Sequence, residues 1–317
     1  MKFRLISRIL GIGLIAFSLL QLTPILVSIT YNEENLSAFG YSFLITLTFG
    51  SFLYLVNFEK KYEGIRVKEG FLLTVLLWFF FTIFASLPFI LGSKSELSLV
   101  SAYFEATSGL TTTGATIYSD LSSEYYSILF YRGLLQWVGG LGIIVLAIAL
   151  MPLLGVGGMQ LYRGETQGPI NQSKLRPKIA ETAMVLVYIY LILTVLCFFS
   201  YFIAGMDYFD AVVHSFTTIA IGGFSNYNES FAYFDNSAIN LLAIIFMFIS
   251  GISFSLHYLS FSNFKLFNYV KDPEFGFYWK MLALTSFIFI VTTWLYSSEL
   301  SSSKIILSLF TVTSFAT

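Results

Sequence analysis

The sequence predicts an all-α polytopic membrane protein with pore loops, and three observations lead to that class. The 317 residues are 56% hydrophobic and only 11% charged, with a mean hydropathy of +0.78, whereas soluble domains carry about 25% charge. Long apolar stretches recur along the chain. Two Thr/Gly-rich breaks, Gly109–Thr116 and Thr217–Ser225, each lie between such stretches.

Hydropathy predicts seven membrane helices. The first follows a basic start at Lys2, Arg4 and Arg8 and shows no clear cleavage site, which favours a retained span over a signal peptide. Each later stretch is also long enough to cross a bilayer. The predicted spans are Ile6–Ile29, Tyr41–Phe58, Gly70–Leu91, Ser127–Leu154, Ala180–Ala204, Ser237–Leu259 and Met281–Ser297.

The basic residues predict the orientation of these spans, because Lys and Arg gather in cytoplasmic loops. With the N-terminus in the cytoplasm, fourteen of the 17 basic residues fall on the inner side. Lys94 and Lys304 fall outside, and Arg132 lies within a span. Both Thr/Gly-rich breaks then face outward. A segment that begins and ends outside must enter the membrane and return, which predicts two re-entrant loops.

Each break begins with a short amphipathic piece, Val100–Leu110 or Tyr208–Ile219, followed by the Thr/Gly-rich turn. Eleven helical residues rise about 16 Å, roughly half a bilayer. The partly negative C-terminal end of such a helix favours a cation. Backbone carbonyls can replace an ion's hydration shell, and glycine permits the positive φ that turns them. Close helix packing is the alternative role of Thr and Gly, but packing does not require two matched breaks.

The two breaks repeat one another, since Gly114 and Gly223 are 109 residues apart within the same order of spans and turns. The repeat predicts two N-terminal spans in residues 1–65, a first pore unit in 66–160, and a second pore unit with its preceding cytoplasmic loop in 161–265. Residues 266–317 are expected to begin a third unit, in which Lys304–Thr317 forms a pore helix running into a filter. We expect the chain to be truncated within that unit.

Charged side chains near the breaks suggest two further features. Glu105 in the first pore helix and Arg132 in the next span are expected to pair, because charges within a membrane usually do. Acidic residues flank both breaks and predict either a vestibule that concentrates cations or ordinary solvated loop charges. These acids are Glu96, Asp120, Glu124, Asp207, Asp210, Glu229 and Asp235.

Several other classes of protein are disfavoured. The net charge of −1 provides no basic surface for nucleic acid. His214 and His257 stand alone in the sequence, whereas a metal site needs several ligands. No plausible pair of nucleophile and base is present, so an enzyme is not expected. A secondary transporter for another small cation and a noncatalytic membrane subunit remain alternatives to a pore.

Five motifs carry a resemblance to a known family. They are Phe104–Thr116, Gln136–Val145, Leu154–Arg163, Lys178–Thr182 and Phe216–Ser225. In this order they resemble the TrkH/KtrB superfamily of potassium transporters, and the TrkH branch most closely because of the two additional N-terminal spans. The resemblance covers the chain from about residue 70 onward.

The resemblance implies four span–pore-helix–filter–span units around a pseudo-fourfold pore that takes up potassium. It implies K⁺ as the transported ion and no covalently bound cofactor. The second segment reads Ile-Gly-Gly where relatives often have a Thr, and the tail Phe310–Thr317 resembles a third filter. The implied ion-binding residues are Thr111, Thr112, Thr113 and Gly114 in the first segment and Ala220, Ile221, Gly222 and Gly223 in the second.

The resemblance also implies partners and a location. It implies a homodimer in the lipid of the bacterial plasma (inner) membrane, with a cytoplasmic nucleotide-binding regulatory subunit of the TrkA type. The inner segments Gly155–Glu181 and Ser260–Lys280 are the available docking surfaces for that subunit. The alternative is that their basic residues serve only to set the topology, and this is the preferred reading for any single residue.

Overall fold

A computed structural model of the chain describes residues 3–56, 67–154, 172–262, 267–297 and 301–317. Every regular element in these ranges is helical, apart from turns. The helices are α1 Phe3–Leu20, α2 Thr23–Thr30, α3 Leu36–Val56, α4 Val67–Gly92, α5 Leu99–Leu110, α6 Tyr126–Leu154, α7 Gln172–Ile203, α8 Tyr208–Ile219, α9 Ser237–Ser250, α10 Phe254–Ser262, α11 Phe267–Lys271, α12 Pro273–Ser297 and α13 Ser302–Ala316, with a 3₁₀ turn at Ser230–Phe234.

The predicted spans are largely confirmed. Six helical stretches are long and apolar enough to cross a membrane, with α1 and α2 together counting as one, and the bent pair α9–α10 makes a seventh. Many large apolar side chains on these helices are exposed, as expected where lipid is the solvent. The short helices α5 and α8, with 12 residues each, are the two predicted pore helices.

The chain forms two compact units. The first comprises residues 1–135 and 146–171. Within it α1 and α3 pack through glycine, because a Cβ on Gly11 would lie 2.6 Å from the carbonyl oxygen of Gly50. Such small residues let the backbones of two membrane helices approach closely.

The second unit comprises residues 136–145 and 172–317, so part of α6 belongs to it. Its core contains Tyr190, Cys197 and Tyr201 of α7 together with Ile219 of α8 and Phe246 of α9. Pore helix α8 therefore packs directly among the spans of its own unit. The division into 1–65, 66–160, 161–265 and 266–317 stays a prediction.

The predicted span Ser237–Leu259 is helical but strongly bent. The chain bends by 85° between α9 and α10. The bend frees carbonyl groups, and side chains bind them: the Tyr278 hydroxyl donates to Phe248 O at 3.3 Å and His257 Nε2 lies 3.1 Å from Ile249 O. A Cβ on Gly251 would collide with Tyr278. Hydropathy misses this break because the two helices taken together are apolar enough to pass as one span.

The tail also differs from the prediction. Residues Phe310–Ala316, which resemble a filter in sequence, form the last turns of α13 and are not an extended filter segment. The Phe310 ring packs against Phe231 with centroids 5.2 Å apart, within the second unit. Of the two predicted docking surfaces, residues 155–171 and 263–266 lie outside the described part of the chain.

Candidate functional site

The two pore helices begin in equivalent ways. Ser98 caps α5 by accepting a hydrogen bond from Ser101 N, and Asp207 caps α8 by accepting one from Phe209 N. Both caps have extended backbone, as helix N-caps do. Because the two caps are 109 residues apart, like the two predicted filter glycines, the repeat read from sequence is a repeat of structure.

The first pore helix ends in a Schellman turn. Thr113 N donates to Ser108 O at 2.9 Å, and Thr112 N donates to Gly109 O at 3.0 Å. These two hydrogen bonds satisfy carbonyl groups that the helix end would otherwise leave without a donor. They require a left-handed residue immediately after the C-cap. Thr112 is that residue, with φ of 54°.

The second pore helix ends in the same turn at equivalent positions. Gly222 N donates to Thr217 O at 2.9 Å, and Ile221 N donates to Thr218 O at 3.0 Å. Ile221 takes the left-handed position with φ of 46°. The two turns match residue for residue although only the glycine that follows them is the same in both.

Left-handed backbone also occurs two residues further, at the predicted glycines. Gly114 has φ of 77° and Gly223 has φ of 84°, as the sequence predicts. The sequence does not predict the left-handed Thr and Ile, because β-branched residues in that region are outliers and cost on the order of 1–3 kcal/mol. Left-handed residues at two places within three residues change the direction of the peptide groups, and filters of backbone carbonyls use such turned peptide groups to face an ion.

A buried ion pair holds the chain that follows the first turn. Glu105 and Arg132, the predicted pair, lie with Arg132 Nε 2.8 Å from Glu105 Oε1, and both side chains are at most 1% exposed. Glu105 also accepts from Thr116 Oγ1 at 3.0 Å and from Ile117 N at 3.0 Å. Arg132 Nη2 donates to the same Thr116 hydroxyl at 3.1 Å. The carboxylate therefore ties the pore helix to the chain beyond Gly114.

After the second turn, an uncharged pair of side chains ties the pore helix to the chain beyond the glycine. His214, which corresponds to Glu105 in the repeat, has Nε2 3.0 Å from Ser225 Oγ, and Ser225 corresponds to Thr116. His214 Nδ1 lies 2.9 Å from Asp210 O. Since a carbonyl only accepts, Nδ1 carries the proton and Nε2 accepts from the Ser225 hydroxyl. The expectation of a single histidine outside any metal site did not include this contact. The repeat offset aligns His214 with Glu105 and Ser225 with Thr116, but only the structure shows that each pair meets.

Two of the predicted acids at the mouth are engaged inside the protein. Glu124 is 4% exposed and accepts from Ser93 Oγ at 2.7 Å and Lys94 N at 2.8 Å. Asp210 is 6% exposed and accepts from Asn226 Nδ2 and from the Tyr227 hydroxyl, both at 2.8 Å. These carboxylates brace loops, so neither is a solvated charge at a vestibule.

The other five predicted acids remain exposed, namely Glu96, Asp120, Asp207, Glu229 and Asp235. Hydrogen bonds from Ser122 and Ser123 hold the pKa of the Asp120 carboxyl below its ordinary value. Asp120 therefore stays ionised at neutral pH. The part of the acidic mouth that can attract cations is accordingly smaller than the sequence indicates.

The two predicted filter segments differ in exposure. Thr111 and Thr113 are exposed, and their hydroxyls bond each other at 2.7 Å. In the second segment Ala220 and Gly222 are buried and Gly223 is exposed. The Gly222 carbonyl accepts a hydrogen bond from Gln136 Nε2 at 2.7 Å. This bond engages one of the predicted ion-binding carbonyls.

Each of the two short helices has a capped N-terminus, and each is followed by a turn with left-handed residues. Set between long apolar helices, they define a class, the polytopic membrane proteins with re-entrant pore loops. Among the described residues no group of three or more His, Cys, Asp or Glu could hold a metal ion. A family model described as "TrkH: Cation transport protein" matches residues 36–316. The chain belongs to the TrkH family.

Relatives and a solved structure support this membership. The chain is 45% identical over 317 residues to the Trk system potassium uptake protein TrkH of Halomonas elongata, covering all of this chain and 66% of that protein. It is 49% identical over 275 residues to TrkH of Escherichia coli K12, covering 87% of this chain and 57% of that protein. The crystal structure of the potassium transporter TrkH from Vibrio parahaemolyticus matches with a TM-score of 0.88 at 39% identity, over 99% of this chain and 64% of that one. The chain thus spans 57% to 66% of the length of these relatives.

Proposed function

We propose that the protein to which this chain belongs takes up potassium across the bacterial plasma membrane through a filter of backbone carbonyls. The matched ends of α5 and α8 carry this proposal: the same Schellman turn, with left-handed residues at equivalent places, occurs at both predicted filter segments. A turn needed only for packing would not require a strained β-branched residue twice. Relatives of the chain are named potassium uptake proteins, which supports the choice of ion.

The ion would meet carbonyl oxygens just beyond the C-terminal ends of the two pore helices, where the helix dipoles favour positive charge. In the first segment Thr111–Gly114 are the candidates. In the second, Ala220, Ile221 and Gly223 are favoured over Gly222, because the Gly222 oxygen is already bonded to Gln136. The exposed acids at the mouth would raise the local cation concentration.

The topology and partners form part of the same proposal. The positive-inside distribution supports a cytoplasmic N-terminus, and the name "Trk system" carried by the relatives suggests a system of several components. We infer a homodimer with a cytoplasmic nucleotide-binding regulatory subunit of the TrkA type. The four-segment division of the chain described above belongs to this proposal as well.

Rubidium uptake tests the function directly. The full reading frame that contains this chain would be expressed in bacteria that lack their own potassium uptake systems. We expect growth at low potassium and ⁸⁶Rb⁺ uptake. Uptake only with a co-transported ion gradient would favour a secondary transporter, and no uptake from a protein present in the membrane would favour a noncatalytic subunit; either outcome contradicts the proposed pore.

A pair of glycine variants then tests the filter itself. At both Gly223 and Gly40 an added Cβ meets no atom within 4 Å, but only Gly223 has positive φ. Gly223→Ala should therefore strain the segment and abolish most uptake. Gly40→Ala should leave uptake unchanged. Equal uptake by the two variants would contradict a filter at Gly223.

A further inference from the structure

Gln136 of α6 makes two hydrogen bonds to the second filter segment. Its Nε2 donates to Gly222 O at 2.7 Å, and its Oε1 accepts from Phe224 N at 3.1 Å. The two bonded residues flank Gly223, whose φ is 84°. One side-chain amide therefore bridges the left-handed residue at which the segment turns. Gln136 is fully buried, so water does not compete for either bond.

The amide also explains why the second segment has glycine where the first has threonine. Gly222 corresponds to Thr113 in the repeat, and a Cβ on Gly222 would collide with the Gln136 side chain. Among the described residues of the first unit, no side-chain amide bonds Thr113. The departure from threonine in the Ile-Gly-Gly sequence is therefore the complement of Gln136.

Neighbouring residues of α6 fix the position of Gln136 against the segment. A Cβ on Gly140, one turn further along α6, would lie 3.2 Å from Ala220 Cβ and 2.8 Å from the Tyr190 hydroxyl. Trp137 donates from Nε1 to Thr194 Oγ1 at 3.0 Å, and its carbonyl accepts from Tyr190 at 3.0 Å. The helix is thus anchored to α7 on one side while Gln136 reaches the filter segment on the other.

We propose that Gln136 is a positioning residue that sets the shape of the second filter segment, and through it the discrimination of the filter between ions. This inference rests on the proposed function. The amide would hold the peptide groups on both sides of Gly223 at fixed places, so that the carbonyls left open keep the spacing that suits a large, weakly hydrated cation. Without the amide the segment could contract around a smaller ion.

Gln136→Met in the full-length protein removes both bonds and keeps the length of the side chain. We expect the ratio of ⁸⁶Rb⁺ to ²²Na⁺ uptake to fall about tenfold, the factor that the loss of one or two buried hydrogen bonds supplies. Gln21→Met is the matched control, because Gln21 is also fully buried and donates to a backbone carbonyl, Phe84 O, at 2.9 Å. The control should keep the wild-type ratio. An unchanged ratio in Gln136→Met would overturn the proposal.

A second pair of variants tests the fit even if Gln136→Met fails to reach the membrane. Gly222→Ala should lower the Tm of the purified protein, because the new methyl meets the amide. Gln136→Ser alone should also lower the Tm, because it removes both buried hydrogen bonds. In the double variant the fall in Tm should be smaller than the sum of the two losses, since the shorter side chain leaves room for the methyl. Losses of Tm that add fully in the double variant would overturn the close fit. If the wild type moves no Rb⁺ the proposed function fails, whereas these Tm values still decide whether Gln136 and Gly222 are complementary.

Discussion

The two predicted filter segments share one backbone and differ in the chemistry that holds it. After each pore helix the chain makes the same turn, and a residue in the middle of the helix reaches forward to a hydroxyl beyond the glycine. In the first segment the contact is Glu105 to Thr116, supported by Arg132. In the second it is His214 to Ser225. The repeat thus preserves the geometry of the contact, although a charged side chain makes it in the first segment and an uncharged one in the second.

The difference shows that each buried side chain is stable only together with its own set of partners. A buried carboxylate needs a cation, and in the first segment Arg132 supplies it. A neutral histidine needs only hydrogen-bond partners, and the second segment supplies these locally, from Asp210 O and Ser225. Gln136 gives the second segment further support. Among the residues described in the first unit, no residue plays the same part for the first segment.

Removing the cation of the first segment should have the largest effect. Arg132→Gln leaves Glu105 buried without a counter-charge, which costs about 3–5 kcal/mol. We expect loss of ⁸⁶Rb⁺ uptake and a large fall in thermal stability. Adding Glu105→Gln should restore part of the stability, because no unpaired charge then remains. Full uptake in Arg132→Gln alone would show that the ion pair does not hold the segment.

Introducing the first segment's anion into the second should be nearly as harmful. His214→Glu places a carboxylate in a fully buried position near Asp210, and the described residues of the second unit form no ion pair there that resembles Arg132–Glu105. We expect a destabilisation of about 3 kcal/mol, measured by thermal unfolding in detergent. His214→Gln is the neutral control and should lose about 1 kcal/mol. Equal losses would contradict the distinction between the charged and neutral contacts.

Removing the equivalent hydroxyls compares the two contacts at one position of the repeat. Thr116→Val takes a donor from the Glu105 carboxylate and should cost about 2 kcal/mol, since bonds to charged groups are the stronger ones. Ser225→Ala takes a donor from neutral His214 and should cost about 1 kcal/mol. The reverse order of Tm values would argue against a charge-assisted contact in the first segment.

The smallest effect concerns the shared backbone and should be the same in both segments. Thr112→Gly and Ile221→Gly relieve left-handed strain at equivalent positions. Loss of the strain should raise the free energy of unfolding by about 1–2 kcal/mol. The larger entropy that glycine loses on folding should lower it by about 0.5–1 kcal/mol. A slight rise in the Tm of each variant is expected. A fall in one variant only would show that the two turns are not equivalent.

Much of this architecture is readable in the sequence because its causes are local. A long apolar stretch must cross the membrane as a helix, and the breaks with their threonines and glycines mark where it cannot. The predicted Tyr208–Ile219 coincides with helix α8. The offset of 109 residues in the sequence is enough to align the two turns. The depth of Glu105 and Arg132 was sufficient to predict that they meet, since neither charge is stable alone in lipid.

Other features arise only from side-chain contacts that folding creates and that no sequence pattern predicts. The 85° bend between α9 and α10 depends on Tyr278 and His257, which bind the carbonyls that the bend frees. The burial of Glu124 and Asp210 depends on donors from neighbouring loops.

The roles of His214 and Gln136 have the same origin. Gln136 is 86 residues from the glycine that it touches, and no periodicity connects the two. The sequence by itself determined which segments enter the membrane and where they turn, because hydropathy and backbone preference act over a few residues. Only the tertiary structure decided which side chains hold those turns, because a buried hydrogen bond depends on partners that folding brings together.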